Sequence, residues 1–471
     1  MAKAALVTGA YQAKSVIAGA QRCINLYLEK NPDTSVFPFT HYPTPGLTLQ
    51  SSVSQNQWRG LYFASNNILY GVCGNTFYSI TSNGTCTAIG TLGSSVGTVS
   101  MVDNEVDLLV VDGTDIGYDY NFASNTFTQL PSNSTTTFYG SNQINYVDGF
   151  FICNRPGTNQ WYISLINSTT FDPTYYASKA GYSDLLVGIG VSRRYIYLFG
   201  EVTTEIWYNA GNPTFPFQIL PGSFIQYGCA ATNSIAQVNG EVFWVAQSPQ
   251  GNCYITKTEN FGAVKISTFA IDAELQTYST VSDAIGYTWE INGHFFYVVT
   301  FPTANKTWVF DLSNNQWNEW LWTDQNGQFN RHRSNCFAFA YGELFVGDWQ
   351  NGNLYTLDQS NYTDNGEPIV RTRSFYHAED DNSDRIRYKQ FIAEMESGNG
   401  PATVYLSCSD DRGKTYGNPV GQTMGTTGEY LTSISWWRLG MARDRVFQLS
   451  WSDPIKTALS GAFVDALPNR K

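Results

Sequence analysis

The chain has 471 residues and a formal net charge of −12 at pH 7, with 42% hydrophobic, 15% aromatic and 14% charged residues. This composition excludes a disordered chain, and the length exceeds what one ordinary hydrophobic core fills, so we expect two domains or a repeat array with an appended domain. The acidic balance argues against a protein that grips nucleic acid, because phosphate binding needs clustered Lys and Arg.

Residues 1–60 are predicted to form an N-terminal arm and the first strands. The beginning, MAKAALVTGAYQAKS, loses its apolar character too early for a signal peptide, so we expect the protein to stay in the producing cell. No stretch approaches the roughly 18 apolar residues of a membrane-spanning helix. Residues 15–31, SVIAGAQRCINLYLEKN, fit either a short helix or an extended arm.

A loosely repeated unit occupies residues 61–370. Each unit has an alternating apolar strand, a Gly or Asn turn, a second strand rich in Tyr or Trp, and a third strand with threonines. Seven copies follow one another, and they start at Ile68, Val106, Gly149, Tyr195, Val242, His294 and Leu344. Their starts are 38, 43, 46, 47, 52 and 50 residues apart, which is near the roughly 40 to 50 residues of one four-stranded propeller blade.

The strands of these units are apolar on both faces. Residues 295–300, FFYVVT, place apolar side chains at odd and even positions alike. Such a blade leaves an apolar face that only the next blade can cover, so the array must close on itself or be capped. We predict an all-β fold with a β-propeller of about seven blades. A stack of β-sandwiches is the alternative, because it also gives short strands between regular turns.

The composition changes near residue 370. A mixed-charge segment leads to FIAEMESG, ATVYLSCSDD, SISWWRLG and RVFQLSWSD, which alternate apolar and polar residues. This pattern predicts a small antiparallel β-sandwich at residues 371–471, with the option that the chain returns to complete a blade. The excess of acidic residues lies in the first part of the chain. Residues 1–370 carry 14 Lys and Arg against 27 Asp and Glu, a net charge of −13. Residues 371–471 carry 13 Lys and Arg against 12 Asp and Glu, a net charge of +1.

Residues 409–416, SDDRGKTY, fit the pattern S-x-D-x-G-x-T-aromatic, which resembles the Asp box of sialidases and other β-propellers. The pattern predicts a hairpin turn in which the carboxylate of Asp411 accepts backbone N–H groups, Gly413 takes a positive φ and Tyr416 packs beneath. We interpret Ser409, Asp411, Gly413, Thr415 and Tyr416 as a structural turn. A sugar-processing site is the alternative, although a motif tied to a fold does not establish function.

No catalytic, metal or cofactor site is predicted. The G-x-S-x-G, P-loop and dinucleotide motifs are absent, and the eight cysteines and four histidines lack the spacing of a zinc site or a disulfide framework. A glycosidase would need two carboxylates about 5 to 10 Å apart in a pocket. The acidic candidates are expected to be mostly solvated surface charges: Asp112, Asp115, Glu201, Glu205, Asp283 and Glu290.

Three separated segments carry a family resemblance. They are QRCINLY at 21–27 with YPTPGL at 42–47, residues 222–239, and RDRVFQLSWSD at 443–453 with residues 458–466. These segments resemble the packaged-DNA stabilisation proteins, also called tail-hub or nozzle proteins, of short-tailed bacteriophages of the Salmonella-phage type. Leu28 departs from that family, in which a proline is expected at this position.

The resemblance implies a structural virion protein and no enzymatic activity. It implies a subunit of a homohexameric tail hub that extends the DNA channel below the portal and its adaptor, retains packaged DNA, and docks a tail needle or plug and tailspikes or fibres. Assembly would take place in the bacterial host cytoplasm, and DNA would pass through without sequence-specific binding. A β-propeller that binds or hydrolyses glycans is the alternative function, which the Asp box and the aromatic residues favour.

Overall fold

The N-terminal segment is extended. The structure, a computed structural model, describes residues 4–133, 136–379 and 384–468. Residues 15–31 adopt the extended alternative, with turns followed by short strands. The first five strands are β1 (Ala4–Ala5), β2 (Cys23–Ile24), β3 (Leu26–Lys30), β4 (Phe39–Pro43) and β5 (Gly46–Ser52).

Antiparallel sheets, called blades below, follow in chain order. Blade 1 has β6 (Trp58–Phe63), β7 (Leu69–Cys73), β8 (Thr76–Ile80) and β9 (Cys86–Thr91). Blade 2 has β10 (Ser100–Asp103), β11 (Asp107–Val111), β12 (Gly117–Asn121) and β13 (Thr126–Gln129). Blade 3 has β14 (Ile144–Val147), β15 (Phe150–Asn154), β16 (Gln160–Ile163) and β17 (Tyr176–Ser178). Blade 4 has β18 (Leu186–Ser192), β19 (Tyr195–Gly200), β20 (Thr204–Asn209) and β21 (Phe217–Ile225).

Blade 5 and blade 6 are separated by a short helix. Blade 5 has β22 (Gly228–Cys229), β23 (Ala236–Val238), β24 (Glu241–Gln247), β25 (Cys253–Glu259) and β26 (Gly262–Lys265). Helix α1 (Phe269–Leu275) follows, and the hydroxyl of Thr268 accepts the N–H of Ile271 as its N-cap. Blade 6 has β27 (Ile285–Ile291), β28 (His294–Phe301), β29 (Lys306–Asp311) and β30 (Gln316–Glu319).

Blade 7 takes one of its strands from the N-terminal arm. A hairpin of β31 (Leu321–Thr323) and β32 (Phe329–Arg331) precedes β33 (Ser334–Ala340), β34 (Glu343–Asp348) and β35 (Asn353–Asp358). The fourth strand is β5, which pairs antiparallel with β35. A small hairpin of β36 (Thr363–Asp364) and β37 (Glu367–Pro368) then pairs with the other edge of β5.

The blades form a closed ring. In blades 1 to 4, 6 and 7 the first strand lies at one edge of its sheet, and in blade 5 β23 takes the corresponding place. Each of these strands contacts its counterpart in the next blade, and β33 of blade 7 contacts β6 of blade 1. At this closure the side-chain amide of Asn335 donates to the carbonyl of Trp58 at 2.7 Å, and the hydroxyl of Tyr341 donates to the carbonyl of Ile80 at 2.8 Å. The predicted propeller is confirmed, and each of the seven predicted copies begins at or within one residue of the second main strand of a blade.

The apolar core is divided among the blade interfaces. Seven clusters of buried side chains each join residues of two neighbouring blades, and an eighth fills the C-terminal domain. Trp58, Leu69 and Phe345 meet across the interface of blades 7 and 1. Both faces of a central blade strand are therefore covered, which is why the sequence of these strands lacks polar alternation.

The C-terminal domain is a β-sandwich, as predicted. Its strands are β38 (Arg371–Ser374), β39 (Ala378–Glu379), β40 (Ile386–Met395), β41 (Thr403–Ser409), β42 (Val420–Thr423), β43 (Ile434–Trp437), β44 (Met441–Ala442), β45 (Asp444–Trp451) and β46 (Leu459–Pro468). One sheet has the order β3-β4-β46-β40-β43, so the N-terminal arm supplies its edge. The other sheet contains β38, β45, β41 and β42.

We predict that β5 is essential for the stability of blade 7. Leu47 in this strand is fully buried among side chains of blades 6 and 7. Replacing Leu47 by Ala should lower the free energy of unfolding by about 2 to 5 kcal/mol, because the lost methyl groups leave a cavity. Urea unfolding followed by tryptophan fluorescence measures the change. Leu49→Ala in the same strand is the matched control, since Leu49 is 43% exposed, and equal effects of the two substitutions would contradict the prediction.

Candidate functional site at the junction of propeller and sandwich

Strand β2 joins the propeller to the sandwich. Ile24 pairs in parallel with Glu319 of blade 6 and antiparallel with Thr372 of β38, so the sheet of blade 6 continues into one sheet of the sandwich. The side chain of Asn25 donates to the carbonyls of Leu321 and Val370, both at 2.8 Å. These backbone and side-chain hydrogen bonds make the connection between the two domains a continuous β-sheet.

An ion pair between half-buried Arg22 and buried Glu319 lies beside β2. The guanidinium of Arg22 donates from Nε to Oε1 of Glu319 at 2.6 Å and from Nη2 to Oε2 at 2.8 Å. Lys306 approaches the same carboxylate at 3.4 Å. Burial alone would raise the pKa of Glu319, but the hydrogen bonds and charge of Arg22, with those of Lys306, lower it below its ordinary value. This carboxylate therefore stays ionised and fixes the arm against blade 6.

A fully buried cation, Arg373, holds the arm without a carboxylate partner among the described residues. Its Nη2 donates to the carbonyls of Thr8 at 2.9 Å and Gly9 at 3.1 Å and to Oε1 of Gln21 at 3.2 Å. Its Nη1 donates to the carbonyl of Ser374. The remaining donor, Nε, lies 2.8 Å from Nε2 of His41. Neutral oxygens and one imidazole thus take the place of a counter-ion.

His41 must be neutral for this arrangement. Its Nε2 accepts the hydrogen bond of Arg373, so the proton of the neutral ring is on Nδ1, which has no partner among the described residues. Burial, together with the charge of Arg373, lowers the pKa of His41 well below its ordinary value. A proton on Nε2 would place two cations in contact and remove the acceptor.

The Asp-box segment forms the turn between β41 and β42. The carboxylate of Asp411 accepts from the N–H of Lys414 at 3.1 Å, and from the N–H and hydroxyl of Thr415 at 2.9 and 2.6 Å. The hydroxyl of Ser409 donates to Asp411 at 2.7 Å and accepts the N–H of Gly413 at 2.8 Å. The hydrogen bond from the Thr415 hydroxyl, followed by those of its N–H and of Ser409, lowers the pKa of Asp411.

The surroundings of this turn are those of a packed loop. Gly413 has φ = +85°, and a Cβ at this position would lie 2.9 Å from the side chain of Ala20 in the arm. Tyr416 is partly buried, and burial raises the pKa of its phenol. The turn belongs to the sandwich and not to a propeller blade.

Two of the acidic residues expected at the surface are buried, and that prediction was wrong for them. Asp112 accepts from the N–H of Thr114 at 3.2 Å and from its hydroxyl at 2.6 Å. Glu205 accepts from the N–H of Gly181 at 2.6 Å and from the indole of Trp207 at 3.1 Å. Both carboxylates satisfy N–H and O–H groups of neighbouring loops, which offsets the cost of burial. Asp115, Glu201 and Glu290 are exposed, and Asp283 is partly buried.

The junction residues Arg22, His41, Glu319 and Arg373 were not identified from the sequence as a site. Their only signal is a charged or imidazole side chain inside a short apolar strand, as in QRCINLY and IVRTRSF. In residues 4–133, 136–379 and 384–468, no group of three or more His, Cys, Asp or Glu side chains is placed to hold a metal ion. No helix in the same ranges is long and apolar enough to cross a membrane.

These features define a β-propeller protein with an appended β-sandwich, and comparison places it in a class of phage structural proteins. One family model, described as Bacteriophage P22 Gp10, beta-propeller, matches residues 23–362. A second, described as Bacteriophage P22 Gp10, beta-sandwich, matches residues 375–466. The chain therefore belongs to the bacteriophage P22 Gp10 family, the tail hub and stabilisation proteins of Salmonella podoviruses.

Other comparisons add little. No curated protein matches the sequence. Among solved structures, the computationally designed Ika8 protein aligns with a TM-score of 0.40 and 10% sequence identity, over 72% of this chain and 99% of that one. This similarity is too low to bear on fold or function.

We predict that His41 makes the protein less stable in mild acid. Because its pKa is lowered in the folded state, the unfolded chain binds the extra proton as the pH falls below about 6.5, and stability is lost from there downward. His41→Gln keeps an acceptor for Arg373 and should remove up to about 1.4 kcal/mol per pH unit of this loss. Urea unfolding at pH 4.5 to 7.5 measures it. His332 remains in the variant, and burial lowers its pKa to about 4. The pH dependence of the free energy of unfolding should therefore become weaker without disappearing. An unchanged dependence would contradict the prediction.

Proposed function

We propose that this protein is the subunit of a homohexameric tail hub that extends the DNA channel below the portal and its adaptor. The observation that carries the proposal is family membership over both domains, residues 23–362 and 375–466. In this proposal residues 1–60 are an arm that serves both domains, residues 61–370 the propeller and residues 371–471 the sandwich. The hub retains packaged DNA and docks a tail needle or plug and tailspikes or fibres.

The two-domain architecture suits a structural subunit that transmits mechanical load without a change of conformation. Each blade is covered by its neighbours, β5 ties the arm to blade 7, and β2 connects blade 6 to the sandwich through paired strands. A subunit built in this way has no single weak hinge between its two domains. The proposed partners are therefore held at fixed positions around the channel while the particle is assembled in the host cytoplasm.

The negative charge of residues 1–370 supports the proposal that DNA passes through the channel without binding to the protein. Residues 1–370 carry 14 basic and 27 acidic residues, net −13. The interval between Arg59 and Arg155 contains no Lys or Arg at all. Like charges on a channel wall repel the phosphate backbone, so the duplex would slide past without sequence-specific contacts. No cofactor enters the proposal.

The proposal is tested on purified phage particles. Cryo-electron microscopy of the tail, with mass spectrometry of its proteins, should find six copies of this chain in a ring next to the portal adaptor. A stable monomer that is never incorporated into particles would rule the proposal out. Incorporation in a different copy number would contradict the hexamer alone.

The Asp box distinguishes this function from that of a glycan-binding or glycan-hydrolysing propeller. Asp411 is fully used by the turn, so Asp411→Ala should lower the thermal stability of the sandwich without a selective effect on any sugar. Because the pKa of Asp411 is lowered, its stabilising effect should persist above the ordinary Asp value of about 3.9 and fade as the pH falls below it. Calorimetry measures the thermal stability and its pH dependence, and a glycan array with a hydrolysis assay measures sugar binding and turnover. Sugar binding or turnover by the wild type that Asp411→Ala abolishes, with stability unchanged, would support the alternative.

A further inference from the structure

A loop on the sandwich exposes two large side chains. The loop, residues 424–433, connects β42 with β43, and its tip carries Tyr430, which is 72% exposed, and Leu431, which is 99% exposed. We call these two residues the knob. Tyr430 and Leu431 are adjacent in the chain, so together they form a small apolar surface that a partner can contact.

Hydrogen bonds hold the loop that carries the knob. The N–H of Gly428 donates to the carbonyl of Gly398 at 3.0 Å, and the hydroxyl of Ser397 donates to the carbonyl of Glu429 at 3.0 Å. The carboxylate of Glu429 accepts the N–H of Thr426 at 2.7 Å, which closes the loop on itself. Because these bonds already hold the loop, little conformational entropy is lost when the knob is bound.

A cleft on the same chain offers a matching cavity. It measures about 690 Å³ and lies between the arm at residues 9–16, helix α1 and strand β30. Ile271, Trp308 and Trp317 contribute apolar surface, and Ala270 and Ala273 leave room on the helix side. At the N-terminus of α1, Phe269 is 82% exposed. The cleft is therefore a partly apolar cavity with an uncovered aromatic side chain beside it.

The cleft also contains one side-chain nitrogen without a partner among the described residues. The side-chain amide of Asn318 is buried, with 3% of the residue exposed, and its Nδ2 makes no hydrogen bond to any described residue. The charged residues that line the cleft are Lys14, Arg22 and Lys306 against Glu274 and Glu319, so the lining carries a net charge of +1. A ligand that supplies apolar side chains together with carbonyl or carboxylate oxygens fits this lining.

The knob loop has that complementary chemistry. Within residues 415–437, Glu429 is the one charged residue, and it directly precedes Tyr430 and Leu431. The opposite charges and the apolar surface of both partners therefore favour the knob of a second copy as the occupant of the cleft.

The knob cannot reach the cleft of its own chain. The knob loop is bonded to residues 397–398, which precede the start of β41, whereas the Asp-box turn at the other end of β41 packs on the arm beside the cleft. Strand β41 spans seven residues, or about 20 Å at roughly 3.3 Å per residue. Knob and cleft are thus separate surfaces of the chain.

We infer that the knob of one copy inserts into the arm–helix cleft of the next copy, and that this contact builds the ring. Such a head-to-tail contact joins two different surfaces, so repetition of it closes a ring or continues as a filament, whereas a symmetric pair would stop at two copies. The inference rests on the proposed ring and adds the surfaces that form it.

Disulfide trapping tests the contact directly. Leu431→Cys and Ala273→Cys are introduced together into the full chain, and particles assembled with this variant are treated with a mild oxidant. None of the eight native cysteines is fully exposed, so background cross-linking is low. A ladder of covalent oligomers on a non-reducing gel is expected, while each single-cysteine variant gives none. Incorporated protein that yields no ladder, or that stops at a dimer, overturns the inference and leaves the proposed function standing; absence of the wild-type chain from particles contradicts the proposed function instead.

A second variant removes the knob. Leu431→Asp should leave the melting temperature and circular dichroism unchanged, because Leu431 is almost fully exposed, but should reduce incorporation into particles about tenfold or more. Val36→Asp is the matched control, since Val36 is 89% exposed on the loop between β3 and β4. Normal incorporation of a folded Leu431→Asp protein would overturn the inference.

Discussion

The rest of the structure depends on the covering of strands that are apolar on both faces. A single blade would expose one wide apolar surface on each side, and each Å² of that surface covered by a neighbour contributes roughly 25 cal/mol to stability. Each blade is therefore stable only between two others, and the first and last must meet. The contact of Trp58 and Leu69 with Phe345 is where that requirement is fulfilled.

Closure of the ring also recruits the N-terminal arm. Residues Gly46–Ser52 form the fourth strand of blade 7, and the residues just before them supply β3 and β4 to the sandwich. One short stretch of chain is thus shared by two domains. The buried guanidinium of Arg373, held by carbonyls of the arm and by neutral His41, fixes the course of this stretch and couples the stability of the arm to the protonation of one imidazole.

The sequence predicted the repeated elements well and the unique ones poorly. All seven copies were located because the second strand of each blade is a run of buried residues followed by a turn, a local pattern that recurs. Helix α1 was missed because its seven residues, FAIDAEL, are too few to show a helical period. Asp112 and Glu205 were assigned to the surface because carboxylates usually lie there, and only the loops folded around them supply the N–H groups that permit burial.

The sequence by itself determined an all-β chain and the blade repeat, because both depend on side chains adjacent along the chain. Local patterns also predicted the start of a second domain near residue 370 and the turn at residues 409–416. The tertiary structure alone decided which strand closes blade 7, how β2 joins the two domains, and that Arg22, His41, Glu319 and Arg373 meet at the junction. These contacts connect residues about 300 positions apart. No local sequence pattern predicts these long-range contacts, because they are stabilised by burial that exists only after the ring has closed.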